Sequence, residues 1–217
     1  MSKYDFVIFD FDGTVADTSE GIFKSLQYSF VEMGDKVPDL SEMKKFIGPP
    51  IAYSFEKFYN VPAELVDTYI GKYRERYRAK GIFECSLYEG IKEALSELRK
   101  NGVKLGIASS KPLSLIYDVM NYLEITELFD FVSGVKMDNS RHSGKKELIL
   151  NTMKNLNAEN KSRVLMVGDR YFDIDGAAEA GVDSCGVLFG FGSREEFLEH
   201  NATYIIEEAK ELLKLVL

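Results

Sequence analysis

Cysteine is scarce in this chain of 217 residues, with Cys85 and Cys185 the two it has. Two thiols so far apart exclude a disulfide framework and match no close metal spacing, which leaves reduced cytosolic packing residues as the expectation. A basic excess is missing too. Lys and Arg number 27 against 35 Asp and Glu, a formal charge of -8, so the surface lacks the cationic footprint that nucleic acid or an anionic membrane requires. No apolar run is long enough to span a bilayer, and Met1-Ser2-Lys3-Tyr4-Asp5 does not open like a secretory leader. Cytoplasmic residence is the expectation, with neither nucleic acid nor membrane as a partner. Fixed-period repeats and low-complexity tracts are absent as well. With 45% hydrophobic and 29% charged residues, the chain suits one α/β domain with an insertion, or two small domains. An anionic small substrate would need local cations.

The stretch that organises the rest is Tyr4-Asp5-Phe6-Val7-Ile8-Phe9-Asp10-Phe11-Asp12-Gly13-Thr14-Val15. Val7, Ile8 and Phe9 suit a strand covered on both faces, and Gly13 permits a turn that a Cβ would forbid. Asp10 and Asp12 therefore emerge together at the strand's carboxyl end. Two acids this close repel unless a cation sits between them, and hard divalent cations prefer such ligands, so the stretch points to magnesium. A plain turn with Asp10 as its cap explains the same residues about equally well.

From Thr14 to about Tyr88 the chain stops alternating strand and helix. The spacing predicts helices over Ser19–Met33, Ser41–Phe46, Ala52–Tyr59 and Ala63–Lys80, with Gly34 and the Gly48-Pro49-Pro50 turn as breaks. Tyr69, Tyr73 and Tyr77 share a face of the last helix, while Arg74 and Arg78 pair four apart. Aromatic packing with a solvated basic edge is the simpler reading. The sharper one lets an arginine, or the Gly48-Pro49 turn, lower onto a bound anion.

Beyond Tyr88 the alternation settles. Helices are expected over Gly90–Lys100, from Leu113, from Lys145, over Asp175–Gly181 and over Glu207–Leu217. Strands are expected over Val103–Ala108, Phe129–Val135, Arg163–Val167, Ser184–Phe189 and Tyr204–Ile206, and a polar loop over Lys136–Gly144. The strand tips carry Asp10 and Asp12, then Ser109 and Ser110, then Asp169 and Asp173, with Lys145 entering from a helix start. Hydroxyls and amides at such a tip can hold a phosphate oxygen, although N-capping satisfies them equally. In an open parallel sheet all these tips line one crevice. Together they supply the nucleophile, charge neutralisation and proton donor of phosphoryl transfer.

The pattern resembles the haloacid dehalogenase superfamily of phosphatases, in its phosphoglycolate phosphatase and β-phosphoglucomutase-like branch. Asp10-Phe11-Asp12-Gly13-Thr14-Val15 matches the first family motif, Ser109 the second, Lys145 the third, and Gly168-Asp169 through Asp173 the fourth. The resemblance implies a Rossmann-like parallel α/β core over residues 1–15 and 87–217, with an inserted helical cap domain over residues 16–86. It implies Asp10 as nucleophile, Asp12 as acid and base, and Mg2+ held by Asp10, Asp12, Asp169 and Asp173. Ser109 and Lys145, with Thr14 and Ser110, would bind phosphate, and Gly48, Pro49, Arg74 and Arg78 are the cap's substrate candidates. The choice of Lys145 over Lys146 rests on its place two before an acidic residue.

The expected function is hydrolysis of a small phosphorylated metabolite, phosphoglycolate-like or nucleotide-like. A sugar phosphomutase would use the same motifs. A dehalogenase would need neither magnesium nor Asp12, and a receiver-like signalling module has no need for so long a helical insertion. Monomer and dimer stay open.

Overall fold

The computed structural model describes residues 2–137 and 144–217. Most of the expected loop between Lys136 and Gly144 therefore lies outside the described residues. The first strand, β1 (Phe6–Phe9), is followed by a two-residue strand, β2 (Ala16–Asp17). Four helices come next: α1 (Ser19–Glu32), α2 (Leu40–Met43), α3 (Ile51–Tyr59) and α4 (Ala63–Ala79). The stretch expected as one helix to Phe46 tightens into a 3-10 turn over Lys44–Phe46. Gly34 sits at φ +78 just past α1, where its missing Cβ lets the chain leave the helix.

A second two-residue strand, β3 (Ser86–Leu87), returns antiparallel to β2, with Ala16 opposite Leu87 and Asp17 opposite Ser86. This small ribbon ties together the two points where the helical insertion leaves and rejoins the chain. Phe30, Phe46, Phe55, Tyr69 and Tyr77 form much of the insertion's own apolar core, to which Leu115 of the following segment adds.

Regular alternation then follows as α5 (Ile91–Lys100), β4 (Lys104–Pro112), α6 (Leu113–Tyr122), β5 (Phe131–Val135) and α7 (Lys145–Leu156). It continues with β6 (Val164–Gly168), α8 (Tyr171–Ala180), β7 (Asp183–Val187), α9 (Arg194–Glu199), β8 (Tyr204–Ile206) and α10 (Glu211–Val216). The six long-range strands form one parallel sheet in the order β5-β4-β1-β6-β7-β8. Alternate residues of β1 feed opposite faces, as a two-residue period requires. Val7 and Phe9 join the core under α5, α6 and α10, whereas Ile8 joins the one under α7 and α8. Both faces are thus covered, which explains why β1, β4 and β6 read as continuous apolar runs.

Besides the 3-10 turn and the unforeseen strands β2 and β3, three helices depart from expectation. The helix α8 starts at Tyr171 and not at Asp175, which brings Asp173 into its first turn. The last helix begins at Glu211, because the Glu211 carboxylate accepts the backbone N–H of Glu207 and Glu208 and holds those residues in a turn. The helix α9 was not expected at all; Ser193 caps it by accepting the N–H of Glu196 at 3.1 Å.

Candidate active site

The strand order reverses direction at β1: the chain fills the sheet outward through β4 and β5, then crosses back to β6 on the other side. At such a switch point the loops diverge and leave a crevice at the carboxyl edge. The first residues past β1 and β6 are Asp10 and Asp169, and the Asp10 N–H donates to the Val167 carbonyl at 2.9 Å. Adjacent parallel strands therefore deliver the two acids side by side. Asp173, in the first turn of α8, joins them, and one carboxylate oxygen from each of the three lies within 4.8 Å of the others.

All three carboxyls are buried, with Asp169 wholly so. Their fixed partners hold them in place: Phe11 N–H donates to Asp10 at 2.7 Å, Phe191 N–H to Asp169 at 3.0 Å, and Arg170 N–H to Asp173 at 3.0 Å. The packing tolerates no extra atoms. A Cβ on Gly13, which sits at φ +88, would lie 2.2 Å from Asp169 Oδ2, and one on Gly168 would lie 2.1 Å from Asp173 Cγ.

Lys145 is the cation of this cluster. Its Nζ lies 3.1 Å from Asp10 Oδ1 and 2.7 Å from Asp173 Oδ1, and donates to the Ala108 carbonyl at 3.1 Å. Gly176 of α8 makes the room, since a Cβ there would come within 2.6 Å of Lys145 Cγ. Lys146, partly exposed, makes none of these contacts.

One ammonium paired with two of three buried carboxylates leaves the cluster rich in acids, with Arg170 as a further cation near Asp169. Burial therefore pushes Asp10 up to about 6, although Lys145 pulls the other way and Asp173 adds repulsion. Burial and the neighbouring Asp173 and Asp10 push Asp169 well above the ordinary carboxylate range. Burial disfavours the Lys145 charge, but Asp10 and Asp173 overcome it and hold the ammonium firmly protonated. The Asp173 Oδ1 contact is an ion pair without hydrogen-bond alignment, so that oxygen keeps lone pairs open. A hard divalent cation fits this donor set: the groups are carboxylate oxygens, and a cation among them would relieve their mutual repulsion.

Asp12 stands outside the trio but lines the same cleft as Asp10. Its Oδ1 accepts from Thr18 Oγ1 at 2.6 Å, and both its oxygens accept from Lys111 Nζ, at 2.9 and 3.1 Å. Beside it opens a cleft walled by Asp10, Ser109 and Ser110 from the sheet edge and by Gly48, Pro49 and Arg74 from the insertion. Thr14 lies wholly buried outside that wall, with its hydroxyl 3.2 Å from Asp169 Oδ1. Arg78 is exposed and is not part of the wall. Arg74 lines the cleft while donating to the Met137 carbonyl at 3.1 Å, and burial with the nearby Arg78 charge lowers its pKa.

Three residues of this region escaped the sequence reading: Lys111, Thr18 and Arg170. Lys111 and Ser109 stand two apart on one extended segment, which places them on the same face. That spacing was a usable signal. Arg170 spans from core to insertion, donating to the Ile47 carbonyl at 3.1 Å and to Glu196 at 3.1 Å; nothing local marks it.

Residues 7–187 match the haloacid dehalogenase-like hydrolase family. The chain belongs to this family. A 5'-nucleotidase of Pseudomonas aeruginosa is 35% identical over 93% of this chain and 90% of its own length. The tyrosine-protein kinase PtkA of Mycobacterium tuberculosis is 32% identical over 94% of this chain and 68% of its own length. The crystal structure of a predicted phosphatase from Clostridium acetobutylicum superposes with a TM-score of 0.91 at 38% identity, covering 97% of each chain. By class the chain is thus a haloacid dehalogenase-type phosphatase, and its parallel sheet is the fold that the first-strand motif implied. Among the described residues no helix is long and apolar enough to cross a membrane.

Proposed function

We propose that the protein is a Mg2+-dependent phosphomonoester hydrolase that works through an aspartyl-phosphate on Asp10 and acts on a small phosphorylated metabolite. The observation that carries this reading is the buried trio Asp10, Asp169 and Asp173 at the sheet's switch point, with Lys145 paired to Asp10 and Asp173. Mg2+ held by Asp10, Asp169 and the Asp12 backbone carbonyl, with Asp173 supporting, would supply Lewis-acid neutralisation of the phosphoryl oxygens.

In this scheme Asp10 attacks phosphorus, the bond to the leaving alcohol breaks, and Asp12 gives the leaving oxygen its proton. Water then attacks the aspartyl-phosphate, Asp12 takes the water proton, and the bond between phosphorus and Asp10 breaks to free phosphate. Lys145 steadies Asp10 and offsets the repulsion between two anions. Ser109 and Ser110 bind the phosphate from the tip of β4, and Thr14 aids from behind by fixing Asp169. Residues 16–86 act as a cap over residues 1–15 and 87–217, with Gly48, Pro49 and Arg74 facing the leaving group.

The test is phosphate release from phosphoglycolate, nucleoside 5'-monophosphates and p-nitrophenyl phosphate, with and without Mg2+. Release should require the metal and should fall about 100-fold in Lys145→Ala, while Lys146→Ala stays within about threefold. Equal losses in the two variants would refute the assignment of Lys145.

A further inference from the structure

Lys111 is a buried cation that the scheme above leaves unused. Its side chain is almost wholly enclosed, and among the described residues its Nζ has three polar contacts: both oxygens of Asp12, at 2.9 and 3.1 Å, and the Tyr77 hydroxyl at 2.7 Å. The same ammonium sits 4.6 Å from the centroid of the Tyr77 ring. Tyr77 is itself fully buried in α4, stacked on Tyr73 with centroids 5.4 Å apart. The chain thus takes a lysine out of water, a costly step unless its partners are fixed, and gives it one carboxylate from the sheet edge and one phenol from the insertion.

The contacts on Asp12 are not symmetric. Among the described residues Oδ1 receives two donors, Thr18 and Lys111, while Oδ2 receives Lys111 alone. A proton can be exchanged only at an oxygen with a lone pair to spare, and Oδ2 is that oxygen.

We propose that Lys111 is the positioning residue for the proton-exchange group, clamping Asp12 so that Oδ2 takes the proton of the attacking water, and that Tyr77 makes the clamp depend on the insertion. The proposal rests on the aspartyl-phosphate reading. It assigns Lys111 chiefly to the second half of the reaction, in which water's oxygen bonds to phosphorus, its proton passes to Asp12 Oδ2, and the bond from phosphorus to Asp10 breaks. The first half needs no such help when the leaving group is a nitrophenolate, which departs without a proton.

Rapid-mixing kinetics with p-nitrophenyl phosphate and Mg2+ separates the two halves. Lys111→Met should release close to one equivalent of nitrophenol per site in an initial burst and then turn over about 100-fold more slowly than the native enzyme, with KM not raised. Tyr77→Phe, which removes a single hydroxyl, should show the same burst with about a tenfold loss. If Lys111→Met fails to fold by thermal melting, the Tyr77→Phe burst decides alone. Burst and steady state falling together would overturn the proposal by showing a structural role. A raised KM with unchanged kcat would also overturn it, by making Lys111 a substrate ligand. Asp10→Asn separates this failure from that of the underlying reading. Full turnover in Asp10→Asn would sink the aspartyl-phosphate itself, whereas an inactive Asp10→Asn beside a burst-free Lys111→Met sinks only the role of Lys111.

Discussion

The carboxyl edge of the sheet and the helical insertion bury very different things. The sheet edge packs Asp10, Asp169, Asp173 and Lys145 out of water, whereas the insertion packs Phe30, Phe46, Phe55, Tyr59 and Tyr69 ring against ring, with centroids 4.8 to 5.8 Å apart. Burying like charges opposes folding, and burying rings drives it. In the proposed scheme one region thus carries chemistry at the expense of stability, and the other supplies stability with little chemistry of its own. They meet through Lys111 with Tyr77, Arg170 with the Ile47 carbonyl, Arg74 with the Met137 carbonyl, and Leu115 packed into the insertion's core.

Substitutions should separate the two regions. The largest effect is expected for Asp10→Asn, which should lose about 10⁴-fold in turnover while melting higher than the native protein in EDTA, because a buried charge is removed. A lower melting temperature would break the contrast. Phe55→Ala is the mirror case. It empties a fully buried ring site and should cost about 3–5 kcal/mol by denaturant titration, with phosphate release per folded molecule far less affected.

Metal removal sharpens the contrast through pH. The Asp10 pKa is raised from 3.8 to about 6 on folding, so the unfolded chain gives up this proton first. Stability is then lost as pH rises from about 4 through 6, and the raised Asp169 extends the loss further upward. Melting temperature in EDTA should fall over that range, and added Mg2+ should recover most at the upper end. A flat profile would mean that the acids are not strained. The smallest effect belongs to Glu84→Gln at the junction, where Arg76 lies 2.8 Å and Lys24 3.2 Å from the Glu84 carboxylate. These partly exposed pairs should cost less than about 1 kcal/mol, read by the same denaturant titration.

Legibility in the sequence followed the same division. The tips at Asp10 and Asp169 were readable because a short apolar run ending in acid is a local signal, and parallel pairing brings such ends to one edge. Lys145 was readable as a lysine opposing its own helix dipole. The clamp on Asp12 was not, because its partners Tyr77 and Lys111 stand in different elements and meet through packing alone. The β2–β3 ribbon was invisible for another reason: two residues per strand carry no period.

The most direct test of the central claim is to quench the enzyme during turnover with a phosphate ester, trap acyl-phosphates with borohydride, and map the modified residue by mass spectrometry. Reduction at Asp10, dependent on substrate and on Mg2+, is the predicted result. Sustained phosphate release with no trapped aspartate under conditions where Lys111→Met accumulates none either, or trapping at another residue, would contradict it.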